Sequence, residues 1–200
     1  MKLLITRPSP YARKCWATVH ELGLLDRVAV EELPARMPTM PKPDLEAVNP
    51  LGKVPTLVRE DAHPIVDSRV IIQFLDALAG GGRLVPPAGE ARWSALTLEA
   101  IADGMMDAGV VVRLEQLQPE GQHRGDEVVA HLAKIARALD LLEREPPAAP
   151  FHVGQLALVC AIEWIRFRQL GPDPLAGRPA LAAWHAALAG RPCLAATRPG

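Results

Sequence analysis

The sequence changes its grammar once, at "GGGRLVPPAG" (Gly80 to Gly89), and that change limits what the chain can fold into. Before it, short β-branched and leucine-rich runs alternate with stretches of helical period. After it, only helical periods occur. Glycine and proline at this density break both helix and strand, so Gly80–Gly89 reads as a linker. Upstream, "KLLIT" (Lys2 to Thr6) is a strand stopped by Arg7 and Pro8. In "SPYARKCWATVHELG", Ser9 is a favoured N-cap and Pro10 suits the first helical position. Ala12, Trp16, Val19 and Leu22 then recur at helical spacing, and Gly23 closes the helix. "RVAVEEL" is a second strand, the proline-laden Pro34 to Pro43 a loop, and Thr56 to Val58 a third strand. Ile65 and Val66 form a further apolar patch, after which Asp67 and Ser68 cap a helix that ends at Gly80. The order β-α-β, loop, β-β-α predicts a small mixed sheet covered by helices.

Beyond the linker, Trp93 to Leu117 reads as one long helix with a kink near Gly104. Asp126 to Glu145 is a second, with a stripe of Val128, Leu132, Ile135, Leu139 and Leu142. Leu156 to Gln169 is apolar nearly all round and is expected to be buried. Arg178 to Gly190 is a fourth. The predicted fold class is an α/β domain over residues 1–80, a linker over 81–89 and an all-α domain over 90–200.

Two hundred residues, 49% hydrophobic and 22% charged, suit a globular protein with a proper core. A formal charge of −1 gives no electrostatic basis for binding nucleic acid or an anionic membrane. "MKLLI" is cut short by Thr6, Arg7 and Pro8 before a signal-peptide core forms, and "LALVCAI" (Leu156 to Ile162) is too short to span a bilayer. Three separated cysteines do not read as a disulfide framework, so a reduced, cytoplasmic protein is expected. No metal site is expected either. "HELGL" at His20 lacks the second histidine of a zincin motif, and there is no CxxC or close histidine pair. "GGGR" lacks the lysine and Ser/Thr of a phosphate loop. Cys15 lies inside the first helix, as a packing residue or a nucleophile; Cys160 falls in the apolar third helix of the second half, a core position.

"NPLGKVPTLV" (Asn49 to Val58) places Pro55 at the head of a strand, where its missing N–H does no harm. The Val54–Pro55 bond is either an ordinary trans link or cis. The cis form turns the Val54 carbonyl and N–H outward as an edge that an extended peptide can pair with.

Four stretches together resemble the cytosolic glutathione S-transferases. The first strand with "SPYARKCWATVHELGL" is similar to their segment bearing the catalytic Ser, Cys or Tyr, and "NPLGKVPTL" to their cis-proline segment. "DSRVIIQFL" resembles the acidic residue and serine that open their third helix, and "RPALAAWHAALAGRP" their C-terminal helix signature. The match lies nearest the serine/cysteine-type bacterial branch, near the theta, zeta and omega forms. There the thiol-binding residue stands fourteen residues before the glycine that ends the first helix, which here gives Ser9.

The resemblance implies a thioredoxin-like first domain, a helical second domain and a homodimer. It makes Val54–Pro55 the cis bond, with Val54 pairing to the cysteinyl part of glutathione, the co-substrate. Ser9 would donate to the glutathione sulfur at a helix N-terminus that itself favours the thiolate; the residues alone favour a plain N-cap, and the resemblance reverses that. Asp67 and Ser68 would take the γ-glutamyl end, or merely cap their helix. Lys53 would reach the glycyl carboxylate, or be solvated. A small, mostly apolar electrophile would lie against the long helix, near Tyr11, Met105 and Met106 if these are not core, with Arg113 meeting an acidic group or a nearby carboxylate. The implied activity is conjugation of glutathione. The alternatives are isomerisation, dehalogenation or thiol reduction on the same site, or a non-catalytic binding protein. One departure stands out. Where the family has a Ser/Thr-x-x-Asp capping box, "FHVGQLAL" offers His152 and Gln155, with the glutamine able to reach back as the second half of the box.

Overall fold

A computed structural model describes residues 1–36, 40–119, 121–148 and 150–199. The first part contains β1 (Lys2–Ile5), α1 (Pro10–Glu21), β2 (Ala29–Glu32), α2 (Pro43–Glu46), β3 (Thr56–Val58) and α3 (Ser68–Leu78). The sheet runs β2-β1-β3, with β1 parallel to β2 and antiparallel to β3. Parallel neighbours cannot be joined by a tight turn, and α1 supplies the crossover. Leu3, Ile5 and Leu57 from the sheet, Ala12, Cys15 and Val19 from α1, and Ile71, Ile72 and Leu75 from α3 are buried together. Trp16, placed by the sequence on the same stripe, is only half-buried.

The structure departs from expectation at several points. The Ile65–Val66 patch is not a strand but a single bridge, in which Leu57 and Ile65 exchange both backbone hydrogen bonds, at 3.0 and 2.9 Å. Pro64 precedes it without an N–H, and α3 begins at Ser68, so the chain has no length left for a ladder. The short helices α2 and α8 (Pro192–Ala195) were not foreseen. Each opens on a proline and spans four residues, too few to show a period. Residues 37–39 of the expected Pro34–Pro43 loop lie outside the described residues.

The rest is helical: α4 (Gly89–Gln116), α5 (Gly125–Arg144), α6 (Val153–Arg168), α7 (Pro179–Ala189) and α8. Helix α4 continues through Gly104 without interruption. Helix α6 is the hub, with every residue from Val153 to Ile162 buried. It lies so close to α4 that a Cβ on Gly154 would stand 2.5 Å from the Ala95 carbonyl oxygen, so glycine is required there. The segment between α3 and α4, which starts at Gly89 rather than at the expected Trp93, is held at both ends. Asp76 of α3 accepts from the backbone N–H groups of Gly82, Arg83 and Leu84 at 2.8, 3.1 and 2.7 Å, and the Leu84 carbonyl accepts from Val153 N–H at 2.9 Å.

Helix α6 starts three residues before the predicted Leu156, with His152 as its N-cap. Its Nδ1 accepts from Gly154 N–H at 3.1 Å, so the imidazole does the work of a serine oxygen. Gln155 does not complete a capping box: its amide nitrogen donates to the Ala148 carbonyl at 2.6 Å instead. Burial holds His152 below the usual histidine range. A proton on Nδ1 would abolish the cap, so this contribution is present above the unfolded pKa and is lost as pH falls through the lower folded one. His152→Ser should therefore stay within about 1 kcal/mol of the native chain at pH 8, and should outlast it at pH 5 in thermal melts. An unchanged stability difference between the two pH values would mean the histidine cap does not titrate there.

Candidate active site

The strand registers converge on one end of the sheet. β1 pairs Leu4 with Thr56, and Leu57 bridges Ile65, so the chain leaving β1 toward Ser9, the chain entering β3 at Val54, and the chain reaching α3 at Ser68 lie at the same edge. Ser9 is the N-cap of α1, with extended backbone, and its Oγ accepts from Ala12 N–H at 3.2 Å. Accepting leaves the hydroxyl proton free to be donated outward, toward the positive end of the helix dipole where an anion is favoured.

The Val54–Pro55 bond is cis, as is Val66–Asp67. The turn before Pro55 is fixed by Asn49, a residue sequence reasoning passed over. Its Nδ2 donates to the Lys53 carbonyl at 2.8 Å and to Thr56 Oγ1 at 3.1 Å, while its Oδ1 accepts from Leu51 N–H at 3.1 Å. Asn49 is 1% exposed, and a buried Asn with both ends of its amide satisfied holds the loop in one shape. The signal for it was the asparagine itself, a turn former at the head of "NPLGK". Lys53 is exposed.

Asp67 caps α3 through a 3.0 Å hydrogen bond accepted from Arg69 N–H, which leaves carboxylate lone pairs for a cation. Ser68 is buried at the first helical position, where its N–H has no intrahelical partner. If this edge receives the γ-glutamyl end of glutathione, Ser68→Ala or Asp67→Asn should each weaken glutathione binding by about 1–3 kcal/mol, since each deletes a hydrogen bond to a charged group. Calorimetry on both variants checks this. Normal binding in both would make the pair a helix cap and nothing more.

Cys15 is fully buried, and burial pushes its thiol well above the ordinary value. Its Sγ lies 3.6 Å from the Ser68 carbonyl, the remaining position for its proton, and so it packs α1 against α3 without being available as a nucleophile. Tyr11 is half-buried and donates its hydroxyl to Asp107 of α4. Burial, reinforced by that carboxylate, raises its pKa, so it stays a neutral donor already committed to Asp107. Met105 and Met106 are 2% and 0% exposed. The alternative in which they are core applies: they fill space between helices and offer no face to a second substrate. Arg113 is half-buried and donates to Gln116 Oε1 at 3.3 Å.

Sequence reasoning also missed the charged seam beneath this edge. Lys14 of α1 is fully buried and its ammonium reaches Glu99 at 3.0 Å and Asp103 at 2.6 Å, both on α4. Arg69, next to Ser68, reaches the other oxygen of Asp103 at 2.6 Å. Burial alone would lower the Lys14 pKa, but the two carboxylates outweigh it and hold it above the usual lysine value. A second seam joins Arg13 to Glu163 of α6 at 2.5 Å and to the Thr197 and Leu194 carbonyls at 2.7 and 3.2 Å. The available clue was the spacing of Glu99 and Asp103, two acids one turn apart on a helix that must be buried on that face. Among the described residues, no group of three or more His, Cys, Asp or Glu side chains is placed to hold a metal, and no helix is long and apolar enough to cross a membrane.

A small mixed sheet with helices, a helical second part and a serine at the head of α1 are the arrangement that the resemblance in the sequence implied. Residues 8–78 match the family profile described as glutathione S-transferase, N-terminal domain. The chain is 31% identical, over 90% of its own length and 90% of the relative's, to an uncharacterised GST-like protein, YibF, of Escherichia coli K12. It superposes with a TM-score of 0.94 on a glutathione transferase family member from Pseudomonas fluorescens Pf-5 with bound glutathione, at 38% identity, covering 100% of this chain and 98% of that one. A second structure from that organism, with bound S-(propanoic acid)-glutathione, gives a TM-score of 0.88 at 38% identity with both chains fully covered. The chain belongs to the glutathione S-transferase family, with a thioredoxin-like N-terminal domain and an all-α C-terminal one.

Proposed function

We propose that the protein is a glutathione transferase: it binds glutathione in residues 1–80, stabilises its thiolate with the Ser9 hydroxyl, and adds it to a small electrophile held by residues 90–200 across the 81–89 linker. The observation that carries this reading is the Ser9 hydroxyl, held by Ala12 N–H at the start of α1 with its proton free, beside the cis Val54–Pro55 edge. Bound glutathione in the Pseudomonas fluorescens relative supports the choice of co-substrate, and its S-(propanoic acid) conjugate supports a site with room beyond the sulfur. In this reading Val54 pairs with the cysteinyl backbone, Pro55 holds that edge, Asp67 and Ser68 take the γ-glutamyl ammonium and carboxylate, and Lys53 the glycyl carboxylate. The reductase alternative is disfavoured, because Cys15 is buried and a serine cannot form a mixed disulfide. The exposed Leu51, Val70 and Trp93 support a homodimer, testable by light scattering. We place the protein in the cytoplasm, since its three free thiols fit a reducing compartment.

The test is a titration of the bound thiol. Only the thiolate attacks, and a free thiol is mostly protonated at pH 7. The ultraviolet absorbance of protein-bound glutathione thiolate should therefore rise at a lower pH than that of free glutathione. A bound thiol that titrates like the free one, with no consumption of halides, epoxides, enones or disulfides, would replace the transferase reading with a binding protein.

A further inference from the structure

Building on the glutathione reading, we propose that the second substrate carries a carboxylate, held by Arg113 of α4 and Arg168 of α6. Helix α6 meets the turn before Ser9 at Trp164, and α4 meets α1 at Tyr11, in each case N-terminal to these arginines. Trp164 Nε1 donates to the Pro8 carbonyl at 2.9 Å, seating α6 against the turn that carries Ser9, and Tyr11 ties α1 to Asp107 of α4. Arg168 follows Trp164 by one helical turn, about 6 Å at 1.5 Å per residue. Arg113 follows Gly109 by one turn, and a Cβ on Gly109 would stand 2.7 Å from the Trp164 ring, so both arginines extend from one contact between α4 and α6. Arg113 donates to Gln116 Oε1 at 3.3 Å, and Gln116 Nε2 donates to the Gln169 carbonyl at 3.1 Å, which links the two helix ends directly.

Two cations at one helix junction ordinarily find carboxylate partners, and among the described residues the acids that flank them in the chain are engaged elsewhere. Glu115 is held by Arg124 at 2.6 Å, Glu163 by Arg13 at 2.5 Å and Asp173 by Arg166 at 3.1 Å, while Asp107 accepts from Tyr11. Among the described residues, Arg113 and Arg168 form no ion pair, and the Arg168 Nε is buried with no hydrogen-bond partner. Burial, and then the charge of Arg113, hold the Arg168 guanidinium below its usual range. A carboxylate would satisfy the orphaned donor and relieve the repulsion between the two cations, with guanidinium geometry suited to both its oxygens. The exposed Phe167, with the Arg168 guanidinium 5.0 Å from its ring centre, adds an apolar surface for the carbon skeleton.

The test compares two glutathione conjugates of matched size by calorimetry, S-(2-carboxyethyl)glutathione and the neutral S-propylglutathione. The intact chain should bind the acid about tenfold more tightly, as one charge-assisted contact implies. Arg113→Gln and Arg168→Gln should each erase most of that preference while S-propylglutathione binds as before, which also shows the variants are folded. Equal binding of the two conjugates, or a preference that survives in both variants, overturns the carboxylate proposal and leaves the glutathione reading intact. Failure to bind either conjugate and glutathione itself overturns both.

Discussion

Ser9→Ala is expected to lower kcat by about 10², the scale on which a single preorganised donor to a developing or stabilised anion acts. The hydroxyl accepts from Ala12 N–H at 3.2 Å, which leaves its proton free for donation to a bound sulfur. The remaining contacts to glutathione would come from Val54, Asp67 and Ser68, so affinity for the tripeptide should change little. The thiol titration should move toward that of free glutathione in the same variant, since the stabilised species is the thiolate. Steady-state kinetics with glutathione saturating separate the two effects. Undiminished kcat in Ser9→Ala would remove the serine from the proposed chemistry.

Lys14→Met is expected to destabilise the chain by about 3–5 kcal/mol, the cost of breaking a buried charge cluster by removing one partner. Lys14 pairs with both Glu99 and Asp103. Asp103 keeps its ion pair with Arg69 when the lysine goes, whereas Glu99, 2% exposed, loses the one ion pair it makes among the described residues. Lys14→Met with Glu99→Gln should therefore recover much of the loss, because the uncompensated charge disappears along with its partner. Urea unfolding at pH 7 measures both. The native cluster also has an alkaline signature. With the folded lysine pKa above the unfolded one, its contribution is complete below the unfolded value and is lost as pH rises through the folded value. Lys14→Met should lack that alkaline loss. A cost near zero for the single variant would show that the two carboxylates are neutral in the folded chain and that the ammonium contributes no net stability.

How much of this was readable in advance follows from the range of the interactions. Ser9, Pro10 and Gly23 bound α1 by local rules: a side-chain oxygen near its own backbone, a fixed φ and a positive φ of 69°. Asp67 at the head of α3 and Thr56–Val58 as a strand are equally local, and both lie where the pattern put them. The change of pattern at Gly80–Gly89 is equally local, a density of glycine and proline that here separates α3 from α4, with Gly89 already the first residue of α4. Errors began where an element is too short for a period, as in α2 and α8, or where a partner decides, as with Ile65, whose apolar character fits a strand but whose single bridge is all the chain length permits.

The sequence by itself determined where α1 and α3 begin, that two kinds of architecture follow one another, and which end of α1 presents a hydroxyl, because capping and periodicity depend on residues within a few positions of each other. Only the tertiary structure decided that Lys14 is buried rather than solvated, that Met105 and Met106 face the core, that Tyr11 is bound to Asp107, and that Arg113 and Arg168 share one junction. Lys14 meets Glu99 across 85 residues, and Trp164 meets Pro8 across 156. A charged side chain reads the same in a sequence whether it faces water or a carboxylate from a distant helix. What settles its role is the burial created when α4 and α6 pack against α1, and that packing is a property of no single segment.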